Sequence, residues 1–473
     1  MSPNRSVLTL IAAGTVVRVV LGYVLGLGID ESYVVAAGRV LRLGYFDHPP
    51  VVWWVSSGFA QVVGSDAAGV VRLPFIALFA VSTWLMFRLT ARLFGAQAGV
   101  WAAVAFNLSP VFGLTSGGWV LPDGPLICAL LGMAVCLERG SGLGWWVGAG
   151  VCAGLALLSK YTAVLPIVGV LVFLLTARPR ALAGLGPWVA VAVALAMFSP
   201  VLMWNAENGW ISFAFQGGRA GAARWNFWGP LTALGGEALF VLPWIWLPMM
   251  AVWLGALRRG PGEWRGWLLA VLAAGPIVLF AVVALWSPRI LFHWAAPGYL
   301  FLFPLLGFWL AARSPRRAAW ATAGLLASLL LVVVVQVRFN PWPLRNDPGL
   351  QALDWTPLRA ALAQRGLLAQ PIAAPNWSDT GKIDYALGGN PAVLCLNADA
   401  REYLFAPGPV VGADILIVAP RQNEARIRAD YGGLFASIEA LPPALVDLPG
   451  RRQVPFGLYL ARRLKFWPPP APR

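Results

Sequence analysis

Charge is what this chain has least of. Only 12% of its 473 residues are Asp, Glu, Lys or Arg, against about 25% in soluble globular domains. That shortage excludes an ordinary soluble enzyme. Histidine occurs twice and cysteine four times. Cys128, Cys136 and Cys152 lie inside apolar runs and Cys395 stands alone near the C-terminal end. Neither a disulfide framework nor a CxxC metal spacing is present, so the cysteines read as small apolar filler. A cleavable signal peptide is not expected. The first apolar run, residues 7–28, is too long for an h-region, carries Arg18 in its middle and lacks a small-residue cleavage site. No nucleotide-binding signature or internal repeat is found, and the only low-complexity segment is the terminal PPPAPR.

What the chain has is apolar length. It is 59% hydrophobic, with a mean hydropathy of +0.70, and runs of 18 or more apolar residues can each cross a bilayer. About eleven spans are expected, at 7–28, 68–90, 97–115, 122–138, 144–158, 161–177, 187–204, 229–256, 266–286, 290–311 and 318–337. The pair 144–158 and 161–177 has almost no linker and reads as a tight hairpin or one mis-split span. The net charge of +15 would suit nucleic acid, but the arginines cluster in short loops between apolar helices, which argues against that partner.

With a cytoplasmic N-terminus, the inner loops hold Arg5, Arg88, Arg92, Arg139, Arg178, Arg180, Arg258, Arg259, Arg265, Arg313, Arg316 and Arg317. These are twelve of the twenty Lys and Arg residues before position 338, as the positive-inside rule requires. Seven of the nine acidic residues before that position, all but Glu138 and Glu263, fall outside or at outer span ends. An odd span count puts the C-terminal tail outside too.

Two outer loops, residues 29–67 and 205–228, are longer than connection alone needs. Residues 31–43 have apolar spacing for an amphipathic interfacial helix, with Arg39 and Arg42 on its other side. From Phe339 the chain turns Pro-rich and polar, with helix-like stretches at 354–368 and 421–430 and strand-like runs at 392–396 and 414–419. A small α/β domain is predicted there. The fold class is therefore an all-α polytopic membrane domain, residues 1–337, followed by an extracytoplasmic α/β domain, residues 338–473.

Polar residues gather at the expected outer ends of spans. Asp30-Glu31 closes the first span, and Asp47-His48-Pro49-Pro50 follows in the same loop. Paired carboxylates at a helix end need water or partners, although capping a following helix also accounts for them. Asp123 opens the fourth span after Pro122, as a cap or as a third outer carboxylate. Lys160, one of three lysines, lies at an outer end against the charge bias. It needs an anion, for which a lipid phosphate is the natural candidate, or it snorkels. The segment Trp204-Asn205 to Gln216, Arg219 and Arg224 mixes aromatic, amide and guanidinium groups. That mixture suits a sugar and a phosphate as well as an interfacial belt. A lone histidine near an interface is usually structural, and His293, near the outer start of the tenth span, is a functional candidate against that background. Asp47, His48 and His293 make a weak metal set.

Five motifs then align in order. Asp30-Glu31-Ser32-Tyr33, Gly44-Tyr45-Phe46-Asp47-His48-Pro49-Pro50, Pro122-Asp123-Gly124-Pro125, Leu158-Ser159-Lys160-Tyr161, and Trp204-Asn205 through Phe215-Gln216 resemble bacterial GT-C glycosyltransferases of the family 39 type. That family includes protein O-mannosyltransferases and the aminoarabinose transferase of lipid A. The resemblance covers residues 1 to about 337. It implies an extracytoplasmic active site, a sugar donor on a polyprenyl phosphate and inversion at the anomeric carbon. The acceptor would be a glycolipid such as lipid A, a glycan or a protein, and the location the bacterial inner membrane.

The resemblance gives Asp30 the role of base or acceptor-positioning group, with Glu31 and Asp123 as further catalytic candidates. His48 stands where the aminoarabinose transferase has a lysine, which puts its phosphate role in doubt. Lys160, Arg219 and Arg289 can stabilise the departing phosphate. Tyr33, Asp47, Trp204, Asn205, Gln216 and His293 are substrate-binding candidates. No cofactor is required; a divalent cation is an option, with Asp47 and His293 as its weak candidates. The competing reading is a transporter or flippase of lipid-linked sugars, which predicts repeat symmetry and helices broken at mid-membrane.

Overall fold

The apolar runs become helices in the computed structural model, which describes residues 2–140, 142–221, 224–287, 290–342, 344, 348–420, 422–448 and 453–467. In chain order they are α1 (Pro3–Val24), α2 (Ile29–Ala37), α3 (Val51–Val63), α4 (Ala68–Phe94), α5 (Ala96–Leu108), α6 (Asp123–Arg139), α7 (Leu143–Ser159), α8 (Val164–Ala177), α9 (Leu185–Glu207), α10 (Ile211–Arg219), α11 (Gly229–Val241), α12 (Pro243–Arg259), α13 (Trp264–Val283), α14 (Ala296–Tyr299), α15 (Phe303–Ala311) and α16 (Arg316–Phe339). Five of them, α1, α4, α9, α13 and α16, are long and apolar enough to cross a bilayer. A sixth crossing is added if α11 and α12, bent by 115°, count as one span. The protein is a multi-pass membrane protein. The other expected spans correspond to shorter helices, among them α5, α7 and α8.

The chain divides into two compact units. The first holds residues 1–20, 42–52 and 72–327; the second holds 21–41, 53–71 and 328–473.

The first unit is a helical bundle. Its core runs through Phe79, Phe106, Phe112, Leu130, Leu272, Phe301 and Phe303. Lipid gives helices no hydrophobic reason to associate, so close approach depends on small residues. A Cβ at Gly307 of α15 would lie 2.5 Å from the carbonyl oxygen of Ala98 on α5, and one at Gly169 of α8 equally close to that of Val271 on α13. The expected hairpin of 144–158 and 161–177 is two helices with different partners: α7 packs on α6 and α9, α8 on α13. The expected single span 229–256 breaks at Leu242, which adopts φ 86° ahead of Pro243. Pro243 removes the amide that would continue the helix.

The second unit carries a five-stranded sheet with strands β1 (Ile372–Ala374), β2 (Val393–Cys395), β3 (Ile415–Ala419), β4 (Phe435–Val446) and β5 (Val454–Leu464). The order is β2-β1-β3-β5-β4, parallel among the first three and antiparallel in the rest. Its helices are α17 (Pro357–Gln364), α18 (Trp377–Leu387) and α19 (Glu424–Tyr431). The fully buried run of β3 is what a central strand needs. The β4–β5 hairpin escapes a periodicity reading because Pro442 and Pro443 fall at a register shift between Leu441 and Ala444.

One expectation for the first loop needs correction. The helix predicted over 31–43 spans only Ile29–Ala37 and ends at Gly38. A Cβ at Gly38 would run into the Ser57 Oγ. The loop's extra length, as expected, is more than connection: Val51–Val63 forms α3 after the Pro49-Pro50 break.

Candidate active site

In the helical unit the polar groups separate by helix end. Asp123 begins α6 and Arg139 ends it, about 25 Å apart at 1.5 Å per residue. On the Arg139 side, Arg92 pairs with Glu138, while Arg139, Arg178 and Arg313 lie over the rings of Trp145, Trp264 and Trp309. The candidate site lies at the Asp123 end.

Helix α7 stops at Ser159, and Lys160 takes an extended conformation before a single 3₁₀ turn, Tyr161–Ala163. That break directs the Lys160 side chain inward, where it is 7% exposed. Its Nζ lies 2.9 and 3.1 Å from the two carboxylate oxygens of Asp123, itself 9% exposed. The anion that Lys160 needs is therefore supplied by the protein.

Neutral imidazoles flank this ion pair. His48 lies within the electrostatic reach of Asp47, Lys160, Asp123 and Arg219, and His293 within that of Lys160, Asp123 and Arg219. Burial pushes the His48 imidazole down to about 4, so it is uncharged at neutral pH, and its Nδ1 has no protein hydrogen-bond partner. The position that the sequence resemblance set against a lysine thus carries a neutral group.

Helix α10 secures the loop carrying these residues. The Gln216 amide donates to the Asp47 carbonyl oxygen, and the rings of Phe215 and Phe46 lie 4.9 Å apart. Arg219 closes α10 with its guanidinium 4.5 Å above the Trp294 ring. Tyr161 and Ser212 share a 2.6 Å hydrogen bond that ties α10 to the chain following Lys160. Trp204 packs where Gly44 has no side chain; a Cβ there would lie 2.7 Å from the indole. Asn205 is fully buried, its Nδ2 donating to the Val201 carbonyl and its Oδ1 without a protein partner. Tyr161 belongs to a motif read from sequence, but Ser212 carries no signal that would single it out.

Asp123, Lys160, His48, His293, Asp47, Gln216, Arg219, Trp204 and Asn205 all belong to the helical unit. Asp30, Glu31 and Tyr33 belong to the other. There Asp30 is exposed on α2, while Glu31 is 3% exposed and its Oε2 accepts the Gly28 amide in a capping box. The Tyr33 hydroxyl accepts the Glu402 amide at 3.1 Å. Arg289 lies outside the described residues. Among the described residues no group of three His, Cys, Asp or Glu side chains is arranged to hold a metal ion. Asp47 and His293 therefore lack a third ligand there.

Residues 47–204 match the family model described as dolichyl-phosphate-mannose-protein mannosyltransferase. A lipid A galacturonosyltransferase, RgtD of Rhizobium johnstonii, is 27% identical over 184 residues, which span 38% of this chain and 38% of that protein. The crystal structure of ArnT from Cupriavidus metallidurans in the apo state covers 96% of this chain and 97% of its own, with a TM-score of 0.65 and 15% identity. The same protein bound to undecaprenyl phosphate gives the same coverage, a TM-score of 0.66 and 17% identity. The resemblance to GT-C glycosyltransferases of the family 39 type, read from the motifs, holds, and the chain has the ArnT-like fold.

Proposed function

We propose that this protein is a membrane glycosyltransferase that moves a sugar from a polyprenyl-phosphate donor to an extracytoplasmic acceptor, with inversion. The observation that carries the reading is the buried Lys160–Asp123 pair, set with Arg219 and two imidazoles at one end of the helical bundle. A donor whose lipid tail stays in the bilayer needs cationic groups at that level. Its match to a lipid A galacturonosyltransferase favours a uronic acid as the sugar and lipid A as the acceptor.

In the reaction, the acceptor oxygen bonds to the anomeric carbon from the face opposite the phosphate, and the carbon–phosphate-oxygen bond breaks. Asp30 takes the acceptor proton, a contribution of about 10²–10⁴-fold. Lys160 and Arg219 stabilise the charge gathering on the leaving phosphate; Arg289 is assigned the same role from sequence. Asp123 holds Lys160 in place. His48, being neutral, offers a hydrogen bond in place of the lysine's point charge. Trp204, Asn205, Gln216, Asp47 and His293 line the sugar and acceptor, whereas Tyr33, closed in by other aromatic rings, packs α2.

The topology that goes with this reading has about eleven crossings when the shorter helices are included, in the bacterial inner membrane. The N-terminus is cytoplasmic and the C-terminal domain periplasmic. The arginines at the far ends of the helices support that orientation. The competing reading, a flippase of lipid-linked sugars, draws support from the broken pair α11–α12 and from Glu237 of α11, buried against the Tyr299 hydroxyl.

The test is reconstitution into vesicles with radiolabelled undecaprenyl-phosphoryl galacturonate and lipid A, comparing wild type with Asp30→Asn. Transfer by wild type and its loss in the variant is the expected result. Equal transfer by both sinks the role of Asp30. Donor translocation without transfer by either favours the flippase.

A further inference from the structure

Helix α18 of the sheet-bearing unit is polar by composition yet buried almost throughout. Asp379, Thr380, Lys382 and Asp384 are 1%, 0%, 1% and 8% exposed. Lysine is seldom so deeply buried unless paired, and glycine in a helix interior costs about 1 kcal/mol relative to alanine. Both anomalies, Lys382 and Gly381, have the same explanation: α18 packs on α2, the helix that carries Asp30.

The grip has three points along α2. Before its first turn, the Lys382 Nζ donates to the Leu27 carbonyl at 2.7 Å and, also at 2.7 Å, to that of Leu353, above the Trp355 ring. Leu27 is three residues from Asp30. In the middle, a Cβ on Gly381 would lie 2.9 Å from both Cα and Cβ of Tyr33. These contacts involve backbone and cannot swing aside. Beyond its last turn, Arg39 Nη1 donates to the Asp384 carbonyl at 3.1 Å and to its carboxylate at 3.3 Å. The Tyr33 ring is enclosed by Trp53, Trp377 and Tyr403. Asp30 is the exposed residue of α2.

We propose that Gly381, Lys382 and Asp384 are positioning residues for glycosyl transfer. The C-terminal domain sets the place of the base by holding α2 at both ends and along its middle. This inference rests on the assignment of Asp30 as the base. A general base must lie within hydrogen-bond reach of the proton it takes, and a misplacement of about 1 Å costs about 100-fold in rate.

The experiment uses the full-length protein in vesicles with undecaprenyl-phosphoryl galacturonate and lipid A, and measures kcat, donor KM and the thermal midpoint. Gly381→Val and Lys382→Met are expected to lower kcat about 100-fold with donor KM within about twofold of wild type. The reversed pair Arg39→Asp with Asp384→Arg should recover kcat lost in either single variant. Folded variants with wild-type kcat, alongside an inactive Asp30→Asn, would overturn the positioning role and leave the base assignment standing. An Asp30→Asn variant with wild-type kcat overturns the base assignment and this inference with it. Parallel changes in kcat, donor KM and thermal midpoint would mean a purely structural contact and also overturn it. Where Gly381→Val fails to fold, Asp384→Asn and the reversed pair decide.

Discussion

Arg18, half-buried, and Lys160, buried, are both cations of the helical unit, and they are satisfied in opposite ways. Arg18 donates to the Gly113 carbonyl at 2.9 Å and the Asn107 amide oxygen at 3.1 Å, with its guanidinium 4.3 Å over the Phe79 ring. All three partners are neutral. A π-helical turn at Val111–Ser116 shapes the site, and side chains at Gly113 and Gly117 would intrude on it. Lys160 faces a carboxylate instead, within the electrostatic reach of His48, whose Nδ1 has no protein partner. A cation among saturated neutral groups is a finished piece of structure. One held by an anion, with an unpartnered imidazole nitrogen in its reach, is equipped to meet a further ligand.

The largest effect that would sharpen this contrast is expected from Lys160→Met. Transfer in vesicles should fall about 10²–10³-fold. Stability should drop by about 3–5 kcal/mol, because Asp123 is left buried and unpaired. Adding Asp123→Leu should restore most of the stability, read by denaturation, and none of the transfer. An active double variant would break the comparison.

Arg18→Met is expected to be milder, costing about 1–3 kcal/mol for the amide and carbonyl it strands, with turnover per folded molecule unchanged. Reduced turnover in fully folded protein would place Arg18 in the machinery.

His48 supplies a smaller, pH-dependent term. Its folded value is pushed down to about 4 from an ordinary 6.5. Between those limits the unfolded chain binds more protons, so stability is complete above pH 6.5 and falls as pH drops toward 4. The thermal midpoint of wild type should decline over that window more than that of His48→Gln; identical declines would show that His48 titrates normally. The least effect belongs to the exposed Arg426–Asp430 pair of α19. Arg426→Ala should shift stability by less than about 1 kcal/mol and leave transfer unaltered.

Much of the site was legible because its residues break composition rules. A lysine at the wrong end of an apolar span and an aspartate after Pro122 are visible in any hydropathy reading. Their mutual contact is not, since 37 residues separate them. Sequence offers Lys160 a lipid phosphate as a candidate anion, or a snorkelling role; the packing of α6 on α7 adds Asp123. The α2 boundary was misjudged because apolar spacing continues through Val40, Leu41 and Leu43, which the structure leaves exposed beyond Gly38. Ser212, Gly381 and Lys382 had no local signature, because their importance lies wholly in what they touch.

Local hydrophobicity alone makes this chain a multi-span membrane protein with an α/β segment at its end, since span length and strand runs are properties of neighbouring residues. The same local pattern marks which polar residues stand out against an apolar background. How each of these inward charges is compensated was settled by the folded packing: Arg18 by neutral dipoles, Lys160 by a carboxylate and Lys382 by two backbone carbonyls. Compensation depends on distances of about 3 Å between residues far apart in the chain, and no local pattern encodes those.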